Sequence, residues 1–182
     1  MVGAALLGGV RLVQYRNKSA APDLRRHQAT ELLDLCRAHG ARLIINDDLP
    51  LALALEAHGV HLGRDDGDLP AARAALGPDK LLGISCYADL DCAASAVAAG
   101  ADYLAFGSMY ASATKPGAPR APLTLLGEAR RYGLPIAAIG GISLSNAGQT
   151  LTAGADLLAV VSDLFRVADI AGRAREYQLH FA

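Results

Sequence analysis

The sequence predicts an α/β fold: a parallel β/α barrel one unit short of eight. Two observations carry this. One phrase recurs seven times, a glycine, one or two short residues and an apolar run, beginning at Gly9, Gly40, Gly59, Gly77, Gly100, Gly133 and Gly154. A helix C-terminus at glycine that feeds a strand buried on both faces is the seam of a β/α unit. The second observation is negative, since neither the dinucleotide fingerprint G-x-G-x-x-G nor a P-loop occurs. Alternating strands and helices leave an open doubly wound sheet or a closed barrel, and even spacing of seven similar units favours the barrel.

The strands are expected at Leu12–Tyr15, Leu43–Ile45, Val60–Leu62, Leu81–Ser85, Tyr103–Phe106, Ile136–Ile139 and Leu157–Val161, each buried on both faces. In the first helix after a strand, Leu24, Gln28, Leu32, Leu35, Cys36 and His39 form one stripe that Gly40 stops. Asp48 with Pro50 opens the next helix, and Asp68 with Pro70 the one after. Asp89 and Ser143 have the chemistry of further N-caps, and a last helix is expected from about Asp163 into the 170s. No linker or charge block divides the chain, so residues 1–182 are read as a single domain.

Bulk properties narrow the partners. With 17 basic and 18 acidic residues the net charge is −1, which gives no general affinity for nucleic acid or an anionic membrane. No apolar run approaches the ~20 residues of a membrane span. The opening Met1–Gly9 lacks the cationic start of a secretory signal. Three cysteines, Cys36, Cys86 and Cys92, without paired spacing fit a reducing cytoplasm and make a sulfur-ligated metal improbable.

In a parallel barrel the chemistry sits at the C-terminal ends of the strands. The first strand runs out into Gln14-Tyr15-Arg16-Asn17-Lys18, where Arg16 and Lys18 make an anion site if both face the mouth, and a solvated strand end otherwise. The second ends in Asn46-Asp47-Asp48 and the third in Gly63-Arg64-Asp65-Asp66. Carboxylates at adjacent strand ends, opposite two cations, suit Mg²⁺ held by one or two Asp ligands and substrate phosphates. Asp48 is better explained as a helix cap and Asp65 as solvated. His61 reads as a core or mouth histidine before a catalyst. Ser85 ends the fourth strand with no obvious His–Asp partner, so it is a hydrogen-bonding group rather than a nucleophile. The long connection from Gly107 to Arg120 carries Ser112, Thr114 and Lys115 and has the length of a lid, or of a plain Gly/Pro-rich excursion. The sixth and seventh strands end in Gly140-Gly141-Ile142-Ser143 and Val160-Val161-Ser162, the glycine-amide chemistry of a phosphate site. Two anion sites on one mouth suit a diphosphate and a monophosphate.

Taken in order, Q-Y-R-x-K, N-D-D, G-V-H-L-G-x-D-D, L-G-x-S, G-S-x-x-x-S-x-T-K-P, A-I-G-G-I and A-V-V-S resemble the thiamine-phosphate synthase family from Gly9 to about Leu164. As a set these motifs are highly specific; A-I-G-G-I alone is not. The resemblance implies a TIM (β/α)8 barrel, here lacking the first strand and most of the first helix. It implies condensation of a hydroxymethylpyrimidine diphosphate with a thiazole phosphate, with Mg²⁺ as cofactor, in the cytoplasm. Carried over by position, Asp47 and Asp66 would hold Mg²⁺, while Arg16, Lys18, Asn46 and Lys115 would bind the diphosphate. Gln14 and Ser85 would contact the pyrimidine side. Ser112, Thr114, Gly141, Val161 and Ser162 would take the thiazole phosphate. Arg16, Lys18, Lys115 and Ser85 are the expected catalytic set. Ala111-Ser112 stands where many members have Pro-Thr, which keeps the hydroxyl. Relatives are often homo-oligomers, although no interface signature stands in the sequence. The competing readings are a thiazole tautomerase, whose branch carries a histidine where this chain has Ser108, and a non-catalytic binder of phosphorylated ligands.

Overall fold

The structure, a computed structural model, describes residues 1–64, 66–111 and 119–181. Seven strands lie parallel in one curled sheet whose spatial order is their chain order. They are β1 (Leu12–Tyr15), β2 (Arg42–Asn46), β3 (Gly59–Leu62), β4 (Leu81–Tyr87), β5 (Tyr103–Gly107), β6 (Ile136–Ile139) and β7 (Leu157–Ala159). Helix α1 (Val2–Leu7) precedes them, and α2 (Pro22–Ala38), α3 (Leu49–Ala54), α4 (Leu69–Leu76), α5 (Leu90–Ala98), α6 (Thr124–Ala129) and α7 (Leu144–Thr152) fill the crossovers. Two helices, α8 (Ser162–Phe165) and α9 (Ile170–Gln178), follow the last strand.

The strand pleat divides the apolar residues between two cores. Leu43, Ile45, Val60, Leu62, Leu82, Ile84, Leu104, Phe106 and Ile136 form the layer between sheet and helices. Tyr103, Ala105 and Ala137, with Ile139 and Leu157, fill the inside of the curl. Alternation on a parallel strand puts neighbouring residues into different cores, which is why the middle strands are mostly apolar, with polar exceptions such as His61 on β3 and Ser85 on β4. β3 is buried at all four positions.

The end strands depart from the expected double burial. Gln14 is exposed on β1 and Ala159 on β7, because each of these strands has a sheet neighbour on one side among the described residues. β7 also stops at Ala159 rather than Val161. The chain turns at Val160–Val161 into α8, and the expected single last helix is two, separated at 166–169. On α2 the buried stripe is Ala29, Leu33 and Cys36, one step round from the expected one, and Leu24 is exposed. Asp48, Asp68 and Asp89 accept hydrogen bonds from first-turn amides, and Ser143 forms a capping box with Asn146. Among the described residues no helix is long and apolar enough to cross a membrane.

Candidate active site

The β1–α2 connection is tied down before it carries any charge. Asn17 Oδ1 accepts from the Ser19 and Ala20 amides, and its Nδ2 donates to Gln28 Oε1 at 3.1 Å. Tyr15 donates its hydroxyl to the same Gln28 oxygen at 2.8 Å. Gln28, part of the expected α2 stripe, therefore anchors the segment that presents Arg16 and Lys18.

At the end of β2, Asp47 has φ of 61°, the left-handed region that Asp tolerates better than most residues. Its amide donates to the His61 carbonyl at 2.9 Å, which locks the turn to β3. The Asp47 carboxylate pairs with Lys18 Nζ at 2.6 Å and lies beside Asp66 and Asn46. Burial pushes its pKa up, but hydrogen bonds from Lys18 and its neighbours outweigh this and hold it below the ordinary carboxylate value.

Asp66 folds back over the end of β3, where Oδ2 accepts from the Gly63 amide at 2.7 Å. A Cβ on Gly63 would stand 2.8 Å from that oxygen and 3.1 Å from the Tyr87 hydroxyl, so a side chain there would push the Asp66 carboxylate from its present place. Tyr87 itself has φ of 54° and carries Arg64 over its ring at 5.5 Å. The sequence contained no signal for Tyr87, since its role depends on the β4 bulge between Ser85 and Tyr87.

These groups line one mouth. A cleft of about 280 Å³ is bounded by Arg16, Lys18, Arg25, Asn46, Asp47, Asp48 and Asp66 among others. A smaller recess of about 160 Å³ joins Arg16, Lys18, Asn46, Asp47 and Asp66 to Ser85 and Tyr87. Arg25, which sequence reasoning passed over, pairs with Asp48 at 3.2 Å, while its Nε is buried without a partner among the described residues. An orphaned guanidinium N–H on the wall of a cationic cleft is suited to an anion.

The residues fit a hard divalent cation in the sparse manner expected. Among the described residues no group of three His, Cys, Asp or Glu forms a cage. Two adjacent carboxylates, Asp47 and Asp66, line the cleft with Arg16 and Lys18, and their hard oxygens are the kind of donors that a Mg²⁺ ion sharing phosphate oxygens would take.

The segments after β6 and β7 are also held by hydrogen bonds. Asn146 Nδ2 donates to the Gly141 carbonyl at 3.0 Å, and Gly140 and Gly141 have φ of 96° and 64°. β6 and β7 are paired through Ile139 and Ala159, so the loop bearing Gly141 and the start of α8 at Ser162 follow neighbouring strand ends. Asp163 joins them by accepting from the Leu144 amide at 3.3 Å. Val161 is 61% exposed. Gln14 stands on the exposed face of β1 in register with Ile44. Ser112, Thr114 and Lys115 lie outside the described residues, as does Asp65. Ser108 donates to the Tyr110 carbonyl at 2.8 Å and lies against Gly140.

Comparison with known proteins shows the family of the chain. The family model described as thiamine monophosphate synthase matches residues 1–164. A curated thiamine-phosphate synthase from Methylobacillus flagellatus is 55% identical over 178 residues, covering 98% of this chain and 85% of the relative. One from Azoarcus sp. is 58% identical over 172 residues, covering 94% and 84%. Among solved structures, thiamine phosphate pyrophosphorylase from Pyrococcus furiosus superposes with a TM-score of 0.89 at 32% identity, covering 98% of this chain and 86% of that one.

Proposed function

Because this chain belongs to the thiamine monophosphate synthase family, we propose that its cleft joins a hydroxymethylpyrimidine diphosphate to a thiazole phosphate. It is a transferase of thiamine biosynthesis, and the products are thiamine phosphate and diphosphate. The observation that carries the reading is the pairing of cations with carboxylates in one cleft, Arg16 and Lys18 beside Asp47 and Asp66. A tautomerase has no diphosphate to handle and no use for this set.

The bond between the pyrimidine methylene carbon and the diphosphate oxygen breaks, and its electron pair leaves with the diphosphate. The thiazole nitrogen then gives its lone pair to the same carbon. No proton moves and no side chain becomes a covalent nucleophile. Arg16 and Lys18, with Lys115, bind the leaving diphosphate and offset the charge that grows on it. Asn46 donates to its oxygens. Asp47 and Asp66 are the residues that would hold Mg²⁺, which when bound supplies Lewis-acid stabilisation of the departing phosphate oxygens. Gln14 and Ser85 orient the pyrimidine. Ser112, Thr114, Gly141, Val161 and Ser162 hold the thiazole phosphate, so that its nitrogen faces the carbon it attacks.

Mixing both substrates with Mg²⁺ and measuring diphosphate release tests the reading. Release that requires the thiazole phosphate and the metal is expected. Retained binding of thiazole phosphate with no release would leave a non-catalytic binder instead.

A further inference from the structure

Beneath the cleft a polar row crosses the inside of the sheet. His61 on β3, Gly83 on β4 and Tyr103 on β5 stand side by side in register. His61 is 3% and Tyr103 7% exposed. A Cβ on Gly83 would collide with the Tyr103 ring, so the missing side chain lets the phenol lie across β4 and reach His61. The Tyr103 hydroxyl and His61 Nδ1 are 2.8 Å apart. The other ring nitrogen, Nε2, is 2.7 Å from Ser85 Oγ, two residues further along β4 toward the mouth.

Counting protons orients this chain. Among the described residues, His61 Nδ1 is the hydrogen-bond partner of the buried phenol. A neutral imidazole has one donor and one acceptor nitrogen. If the phenol donates to Nδ1, the ring proton sits on Nε2 and is given to Ser85 Oγ. The serine oxygen has then accepted, and its own O–H is left to donate into the cleft. In the opposite arrangement the serine donates inward and the phenol O–H is stranded in an apolar interior, which is costly.

We propose that His61, held in its Nε2–H tautomer by Tyr103, is a positioning residue that presents the Ser85 hydroxyl as a donor to an acceptor atom of the bound pyrimidine substrate. The kinetic part of this proposal rests on the reading of Ser85 as a pyrimidine contact. Burial pushes the pKa of His61 down to about 4 and that of Tyr103 up, so both groups are neutral near pH 7. Nothing here asks His61 to titrate during turnover.

Tautomers are read directly from the ¹⁵N shifts of the His61 ring, assigned by comparison with His61→Gln. An unprotonated Nδ1 and a protonated Nε2 are expected at pH 7. Tyr103→Phe keeps the ring that packs over Gly83 and removes the donor, so the fold is expected to persist and the tautomer to redistribute. In kinetics, Tyr103→Phe is expected to raise KM for the pyrimidine diphosphate about tenfold, the loss of one oriented hydrogen bond, and to leave KM for the thiazole phosphate unchanged. In a Ser85→Ala background the same substitution is expected to add nothing, because the group being positioned has gone. An Nδ1-protonated ring in the native protein, or an equal penalty in both backgrounds, would overturn the proposal. A native protein that releases no diphosphate would instead refute the synthase reading, and the ring shifts would still decide the proton arrangement.

Discussion

Asp47 combines a left-handed backbone, an ion pair with Lys18 and a place beside Asp66. Backbone strain of this kind costs of order 1–3 kcal/mol in general, and less for Asp or Asn. The choice of variant therefore matters. Asp47→Ala mixes loss of the carboxylate with a residue that dislikes positive φ, whereas Asp47→Asn keeps the shape and the backbone preference. Asp47→Asn is expected to fold normally by circular dichroism and to lose Mg²⁺-dependent turnover by about 100-fold or more, given several kcal/mol of charge stabilisation from a bound metal. Full activity in this variant would remove Asp47 from the metal site. The pair of carboxylates was legible in the sequence because Asp47 follows β2 directly and Asp66 lies in the short turn that leaves β3. The His61–Tyr103 contact was not, because it joins residues 42 apart and depends on Gly83 leaving the row between them open.

At the scale of the element, two aspartates inside the repeated phrase and a histidine just before it have a common task at the foot of the sheet. The Asp102 carboxylate accepts from the Leu82 amide at 2.7 Å, and Asp156 accepts from the Ile136 amide at 2.9 Å. His58 Nδ1 does the same for the Leu43 amide at 3.0 Å. In each case a side chain leading into one strand satisfies an amide in the strand before it, so the seam sets register as well as reversing the chain. The glycine and the apolar run could be read in sequence, because helix ends and buried strands have local signatures. The cross-strand partner could not, since it is fixed only once the strands are paired. Arg73 reinforces the Asp102 seam by pairing with its carboxylate and donating to the Gly77, Lys80 and Gly100 carbonyls. Asp102→Ala is expected to destabilise the protein by about 1–3 kcal/mol, the cost of leaving the buried Leu82 amide without its acceptor. Urea denaturation measures this, and a change within about 0.5 kcal/mol, the range of ordinary surface substitutions, would mean that water replaces the carboxylate.

Over the whole molecule, side-chain networks stand at both ends of the sheet, around Gln28 beside β1 and around Asp163 beside β7. β1 and β7 have one sheet neighbour each among the described residues, and near the β7 end a side-chain network supplements backbone pairing. Asp163 Oδ2 accepts from Arg173 Nη1 at 2.8 Å and from the Tyr177 hydroxyl at 2.7 Å, both on α9, and from the Leu144 amide that begins α7. One carboxylate thus links three helices next to Ser162, the first residue of α8. Burial raises its pKa, but the Tyr177 hydroxyl and the Arg173 guanidinium outweigh this and hold it below its ordinary value of 3.8. The unfolded chain therefore binds this proton more readily than the folded one. The stabilisation is fully present above the ordinary value and is lost as pH falls through the lowered one. Asp163→Asn should lower the urea midpoint at pH 7 and bring the two proteins together as acid is added below pH 3.8. Asp47 and Asp89 are also held low, so the native protein loses stability in acid for more than one reason. The difference between native protein and variant isolates Asp163, and a gap that stayed constant from pH 7 to the acid limit would show that packing, not charge, ties α7, α8 and α9 together.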